Sequence, residues 1–275
     1  MQLTLPKKLL ACSAVLSTLS MTSSIAHASS FFFDFEDGLL PPESLSLQEL
    51  PPPADPSIIG FTPDIEQLSN GNNVLRLKSE NTVADGGAIS SSFLNPTVMF
   101  KNVKVSALLN PAGPENDDEG TNDRILLFAR LNLDPETADS YVFGIDFEAD
   151  LLFLRKVIDG VISPDFLEAV SFDLDQKQSY FAEFTVINNQ LRGRLFNNTG
   201  SDLLSEISFI DTNEPILSAG VTGISADISD SFLPIGNDNN NATIDNFSAM
   251  SVPEPSSILG LFAVGVMTTQ FARRR

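Results

Sequence analysis

Ser140-Tyr141-Val142-Phe143-Gly144-Ile145-Asp146-Phe147-Glu148 is the stretch from which the fold of this 275-residue chain is read. Successive side chains of an extended strand point to opposite faces. Tyr141, Phe143, Ile145 and Phe147 therefore share one face, and Asp146 and Glu148 lie on the other. One apolar face and one wet face mark a strand of an antiparallel sheet.

Similar runs of Val, Ile, Leu and Phe, separated by Gly, Asn, Asp and Pro, recur on both sides. They predict strands at Val74 to Lys78, Ala88 to Leu94, Val98 to Leu109, Arg124 to Leu133, Leu151 to Ile158, Phe166 to Phe172, Ser179 to Ile187, Gln190 to Phe196, Leu203 to Ile210, Val221 to Ile228 and Thr243 to Ala249. Asp159-Gly160 and Asn188-Asn189 have the chemistry of tight hairpins, which need positive φ. Between the two ends no long segment has a helical period. The expectation is an all-β protein, an antiparallel sandwich or barrel.

The opening run Phe31-Phe32-Phe33-Asp34-Phe35-Glu36 puts three phenylalanines on one face and Asp34 with Glu36 on the other, and reads as a first strand. Prolines 41, 42, 51, 52, 53, 56 and 63 then make 39–63 an extended loop. A second loop, Pro111 to Asn122, is acidic and glycine-containing. Residues 29–251 form one domain.

The ends have a different composition. Lys7 and Lys8 precede an apolar stretch from Leu9 to about Leu19, and Ala26-His27-Ala28 is an A-x-A site: a signal helix in a peptide of residues 1–28, cleaved after Ala28. At the other end Pro253-Glu254-Pro255 precedes an uncharged run, 258–271, and the triplet Arg273-Arg274-Arg275. Fourteen helical residues give about 21 Å, short of the roughly 30 Å of a bilayer core. Either a buried helix or a single marginal transmembrane helix fits that length; the terminal arginines favour the membrane.

Cys12 and His27 are the chain's only cysteine and histidine, and both lie in the segment to be removed. A mature chain starting near Ser29 has no disulfide, no thiolate nucleophile, no histidine base and no His/Cys zinc site. Its stability rests on a hydrophobic core, which roughly 220 residues suffice to build. The whole chain carries 36 acids and 16 bases. Outside the end segments 35 acids face 11 bases, so nucleic acid and anionic lipid are poor partners and divalent cations better ones.

Proline-glutamate-proline, a short apolar helix and a basic terminus, in that order, resemble the PEP-CTERM sorting domain of exported Gram-negative proteins. The resemblance covers 252–275. It implies recognition and processing near Pro253, Glu254 and Pro255 by an exosortase, with Arg273, Arg274 and Arg275 at the cytoplasmic side. The body, 31 to 249, resembles concanavalin A-like (laminin-G-like) jelly rolls in its opening aromatic-acidic strand, the Tyr141 strand, the Asn188 hairpin and the closing Ile244-Asp245-Asn246-Phe247 strand. That resemblance implies that the first and last strands pair, with Asp34 or Glu36 near Asp245.

Gly144-Ile145-Asp146-Phe147-Glu148 looks like an altered Glu-x-Asp-x-Glu strand of the jelly-roll β-glucanases. In that family the first glutamate is the nucleophile and the last the acid/base. Here the first is Gly144, and tryptophan, the usual sugar platform, is absent. Structural calcium is the one cofactor offered, with Glu36 and Asp245 as ligands and other oxygens available from Asp34, Asp37 and 238–241. The sequence thus reads as an exported, jelly-roll-like β-sandwich at the cell surface or in the extracellular matrix. It is expected to be a structural or glycan-associated module whose partners are an exosortase, exopolysaccharide and, before processing, the membrane. The alternative is a carbohydrate-active enzyme on the same fold.

Overall fold

The computed structural model describes residues 29–41, 63–77, 79–81, 88–111, 123–134, 137–228, 239–240 and 242–253. These residues form two antiparallel sheets, and no helix among them is long and apolar enough to cross a membrane. The expected signal helix with Ala26 and Ala28, residues 42–62 of the Pro-rich loop, and the run 258–271 with Glu254, Pro255 and the three arginines lie outside the described residues.

The first sheet has the order β14 (Leu203–Ile210), β13 (Gln190–Asn197), β12 (Tyr180–Ile187), β6 (Val103–Asn110), β17 (Thr243–Ser251), β3 (Asn73–Arg76) and β2 (Asp64–Gln67), with β1 (Ser30–Phe33) beside β17. The second has the order β10 (Val161–Ile162), β9 (Leu151–Ile158), β8 (Ser140–Asp146), β7 (Asp123–Leu131), β15 (Gly220–Ile228), β5 (Ala88–Phe100), β4 (Ser79–Asn81) and β16 (Asn239–Asn240), with β11 (Glu168–Ser171) on β9. Inward side chains of both sheets make one core. In it Tyr141, Phe143 and Ile145 of β8 face Ala182, Phe184 and Val186 of β12 and Leu191 and Leu195 of β13.

The first and last strands do pair: Phe31 lies opposite Ala249 and Phe33 opposite Phe247. Phe33 and Phe247 both meet Phe93 edge-on, at 5.6 and 5.7 Å between ring centres, and Phe35 adds a third such contact at 5.8 Å. Phe35, Phe93 and Phe247, all buried, each contribute about 1.5–3 kcal/mol, and the half-buried Phe33 of the short first strand packs onto them without a disulfide.

Both hairpins form where expected. Asn188 (φ 52°) turns β12 into β13, and Asp159 with Gly160 (φ 50° and 74°) turns β9 into β10. Several boundaries differ from the sequence reading: β1 ends at Phe33, short of the expected Glu36, because Phe35 takes a left-handed φ of 58°. Residues 98–100 continue β5 instead of opening β6, because the register shift between Gly220 and Thr222 on β15 lets β5 run past Pro96. Asp64–Gln67, hidden behind Pro63, forms β2 against β3. In addition, β8 ends at Asp146, so Glu148 stands exposed in the following turn and does not share a strand face with Asp146.

Candidate functional site

The outer face of the second sheet, where β8 runs between β7 and β9, carries Gly144 and Asp146. Gly144 is roofed there by Phe153 of β9: a Cβ built on the glycine would lie 1.9 Å from the Phe153 ring. Phe153 is 2% exposed and packs with Leu126, Val142 and Val157, so this face has its own small apolar layer. Gly223 of β15 is roofed likewise by Leu94 of β5.

What remains open is a depression of about 30 Å³ with Arg124 and Arg155 among its lining residues. It is far smaller than the roughly 300–1,000 Å³ of a pocket that encloses a ligand. Phe166 stands at its margin, half-exposed, 4.9 Å from Phe153, with the Arg155 guanidinium 4.2 Å above its ring.

The Asp146 carboxylate is committed to the turn. Its Oδ1 accepts the backbone N–H groups of Glu148 (3.2 Å) and Ala149 (2.9 Å). A carboxylate holding a turn in this way serves the β8–β9 connection.

Within the first sheet β17 changes partner from β1 to β3 along one side, and Asp34, Glu36 and Asp245 gather at the change. Asn73 Nδ2 donates to the Glu36 carbonyl (2.9 Å), and Asp245 accepts its neighbour's N–H from Asn246 (2.6 Å). Burial, opposed by the hydrogen bonds that Asp245 accepts from the Asn246 N–H and from Asn72 Nδ2 and reinforced by the Glu36 and Asp34 charges, raises the Asp245 pKa above the usual carboxylate value. The donors are all oxygen, as calcium requires. Among the described residues, however, no three acidic groups converge as a metal cluster.

Two polar networks escape the sequence reading. Arg130 is completely buried, and burial lowers its pKa. It donates to the carbonyls of Lys101 (2.5 Å), Asn188 (2.6 Å) and Ile216, and to Asn102 Oδ1 (3.3 Å). Alternation along β7 assigns Arg130 to the outer face. A register shift opposite Val221 to Gly223, with Arg130 at φ 57°, turns it inward.

In the second network Tyr141 donates to Asp211 Oδ2 (2.7 Å) and accepts from the Ile216 N–H (2.8 Å), and Lys156 Nζ lies 2.8 Å from the same Asp211 oxygen. Together the two networks fix the crossover 211–219 between the sheets. Tyr141→Phe is expected to cost about 1–3 kcal/mol in urea denaturation. Burial first, and then the bond to Asp211, raise the Tyr141 pKa. The corresponding stability is complete below a phenol's ordinary value of about 10 and is lost as pH rises beyond it. The variant should lack that part of the alkaline loss.

The two ends of the body meet. The Ser251 N–H donates to the Ser29 carbonyl (2.9 Å) and the Val252 N–H to the Asn102 carbonyl (3.1 Å), and Pro253 follows, exposed. Residues 251–275 match the PEP-CTERM protein-sorting motif. The chain carries a PEP-CTERM sorting motif. The motif implies export, cell-surface sorting and processing by an exosortase. No curated protein matches the chain.

Solved structures match the body. A prokaryotic β-1,3-1,4-glucanase (lichenase) from a mouse hindgut metagenome gives a TM-score of 0.54 at 9% identity, covering 81% of this chain and 99% of its own. Bacillus licheniformis β-glucanase gives 0.52 at 12%, covering 82% and 98%. Basic winged bean lectin gives 0.53 at 13%, covering 81% and 98%. At these identities the likeness establishes the concanavalin A-like sandwich fold and nothing about activity.

Proposed function

We propose that this PEP-CTERM protein is a cell-surface or extracellular-matrix module that binds or scaffolds glycan without hydrolysing it. Its C-terminal helix, 258–271, anchors it in the membrane until an exosortase cuts near Pro253. The observation that carries the non-hydrolytic reading is Phe153 lying across Gly144. The position matching the glucanase nucleophile has neither a carboxylate nor room for one, and Asp146 is engaged in its turn. A face this shallow suits surface contact along a polysaccharide, with Phe166 and Arg155 at the point of contact.

The test is incubation of the exported protein with β-1,3-1,4-glucan and with exopolysaccharide from its own host. Binding without release of reducing ends is expected, weakened several-fold by Phe166→Ala. Release of reducing ends by the wild-type protein overturns the reading in favour of the enzyme. Mass spectrometry of the protein recovered from that host should find termini near Ser29 and Pro253; other termini remove the sorting half of the proposal.

Calcium belongs to the same reading as a structural ion held by Glu36 and Asp245, offsetting the negative charge gathered between β1 and β3. Because the Asp245 pKa is raised, its contribution to stability is complete below the unfolded pKa near 4 and is lost as pH rises through the folded value. At neutral pH a bound cation would restore that loss. Calcium should therefore raise the melting temperature at pH 7 relative to chelator. Asp245→Asn should raise it in chelator and abolish the calcium response. Equal melting with and without calcium for the wild-type protein disposes of the ion.

A further inference from the structure

The strand ends divide the sandwich into two unlike poles. One pole carries the Lys101–Asn102 turn, the Asn188 and Asp159 hairpins, the crossover 211–219 and the adjoining residues Ser29 and Ser251–Pro253. The opposite pole carries the exposed carboxylates Glu148, Asp173, Asp175 and Asp202. Large apolar side chains are more numerous at the first pole, where Met99, Leu133, Ile158, Val161, Ile210 and Leu217 are exposed, than at the second, where Leu203 and Leu204 are.

Chain length decides which pole approaches the bilayer. Residues 253–257, the only ones between the end of the described body and the apolar run, reach at most about 18 Å fully extended. An eight-residue strand such as β12 rises about 27 Å. The acidic pole is therefore kept away from any membrane in which 258–271 is embedded. The N-terminal signal, until it is removed, enters at the same pole, because Ser29 is hydrogen-bonded to Ser251.

We propose that the pole bearing Val161, Ile210 and Leu217 rests on the lipid surface in the anchored precursor, its exposed apolar side chains entering the interfacial region. This rests on the membrane anchorage proposed above. Side chains of this kind gain by leaving water, and isolated apolar residues at a rim are tolerated once the domain is released. Asp134, Asp159 and Glu214 are exposed at the same pole. They oppose anionic headgroups, so the contact is to zwitterionic lipid and weakens as anionic lipid is added.

The test uses the full chain with Cys12→Ser, so that a single introduced cysteine carries an environment-sensitive fluorophore. Val161→Cys and Leu217→Cys probe the apolar pole, and Leu203→Cys probes the far one; all three positions are half or more exposed. The labelled chains are reconstituted into phosphatidylcholine vesicles containing a lipid spin-labelled near the headgroup. Quenching at 161 and 217 should exceed that at 203 several-fold and decline when phosphatidylglycerol is included. Equal quenching at the three positions in chains that float with the vesicles overturns this proposal alone. Chains that do not float overturn the anchorage as well.

Discussion

Arg130→Met is expected to destabilise the sandwich by about 3–5 kcal/mol, read as a lower urea midpoint at unchanged slope. Methionine fills much of the volume but donates nothing. The carbonyls of Lys101, Asn188 and Ile216 and the Asn102 side chain would then be buried without their donor. Each such orphan costs about 1–3 kcal/mol unless water enters. The three segments that Arg130 joins are the β5–β6 turn, the β12–β13 hairpin and the crossover 211–219, so the loss should appear as faster amide exchange in all three. Arg130→Lys keeps the charge without the planar fork and should fall between the two. Wild-type stability in Arg130→Met would mean that the guanidinium holds nothing together.

Gly144→Glu, which restores the glucanase-like spacing with Asp146 and Glu148, is expected to cost at least about 4 kcal/mol, read as a lower urea midpoint or a loss of folded protein. The first atom of any side chain at 144 collides with the ring of Phe153, and a carboxylate there would also be forced into an apolar layer. Gly144→Ala isolates the steric part, about 1–3 kcal/mol. Combining it with Phe153→Leu should recover part of that loss, because the two residues compete for the same space and couple in a double-mutant cycle. If Gly144→Glu folds with an unchanged midpoint, Phe153 is not fixed over the glycine, and the argument against a catalytic cleft loses its footing.

How far the sequence led depends on which physical rule governs each residue. Period-two alternation places β8, β9, β12, β13 and β14 to within two residues, although β8 is buried on both faces, its outer one under the Phe153 layer. The pairing of first and last strands follows from the likeness to jelly rolls, and alternation holds for Phe31 and Phe33 but not for Phe35, which lies past the end of β1 at φ 58°. Alternation also explains the failures. Arg130 reads as an outward residue on β7, and only the register shift opposite β15 sends it inside, a local event with no composition signature. The break between the strands expected at Ala88 to Leu94 and from Val98 onward, at Asn95-Pro96-Thr97, is bridged by β5 beside the shift at Gly220 to Thr222.

The candidate site was legible in its residues more than in its geometry. The gathering of Asp34, Glu36 and Asp245 was anticipated from the likeness to jelly rolls, and the Glu36 and Asp34 charges do act on Asp245. The Asp146–Glu148 pair was read as one face of a strand, but the strand stops at Asp146, whose carboxylate folds back on the turn. Gly144 stood out as a missing glutamate. That it is needed to admit Phe153 became visible only with the neighbouring strand in place.

Because β17, the last strand of the body to be synthesised, lies between β6 on one side and β1 with β3 on the other, the first sheet stays in three separate pieces, β14–β13–β12–β6, β3–β2 and β1, until residues 243–251 are available. Contacts that join the two extremes of a polypeptide form late and slowly. The sandwich would therefore be completed last at its seam, when the closing strand slots between pieces already made and joins the opening phenylalanines to the rest.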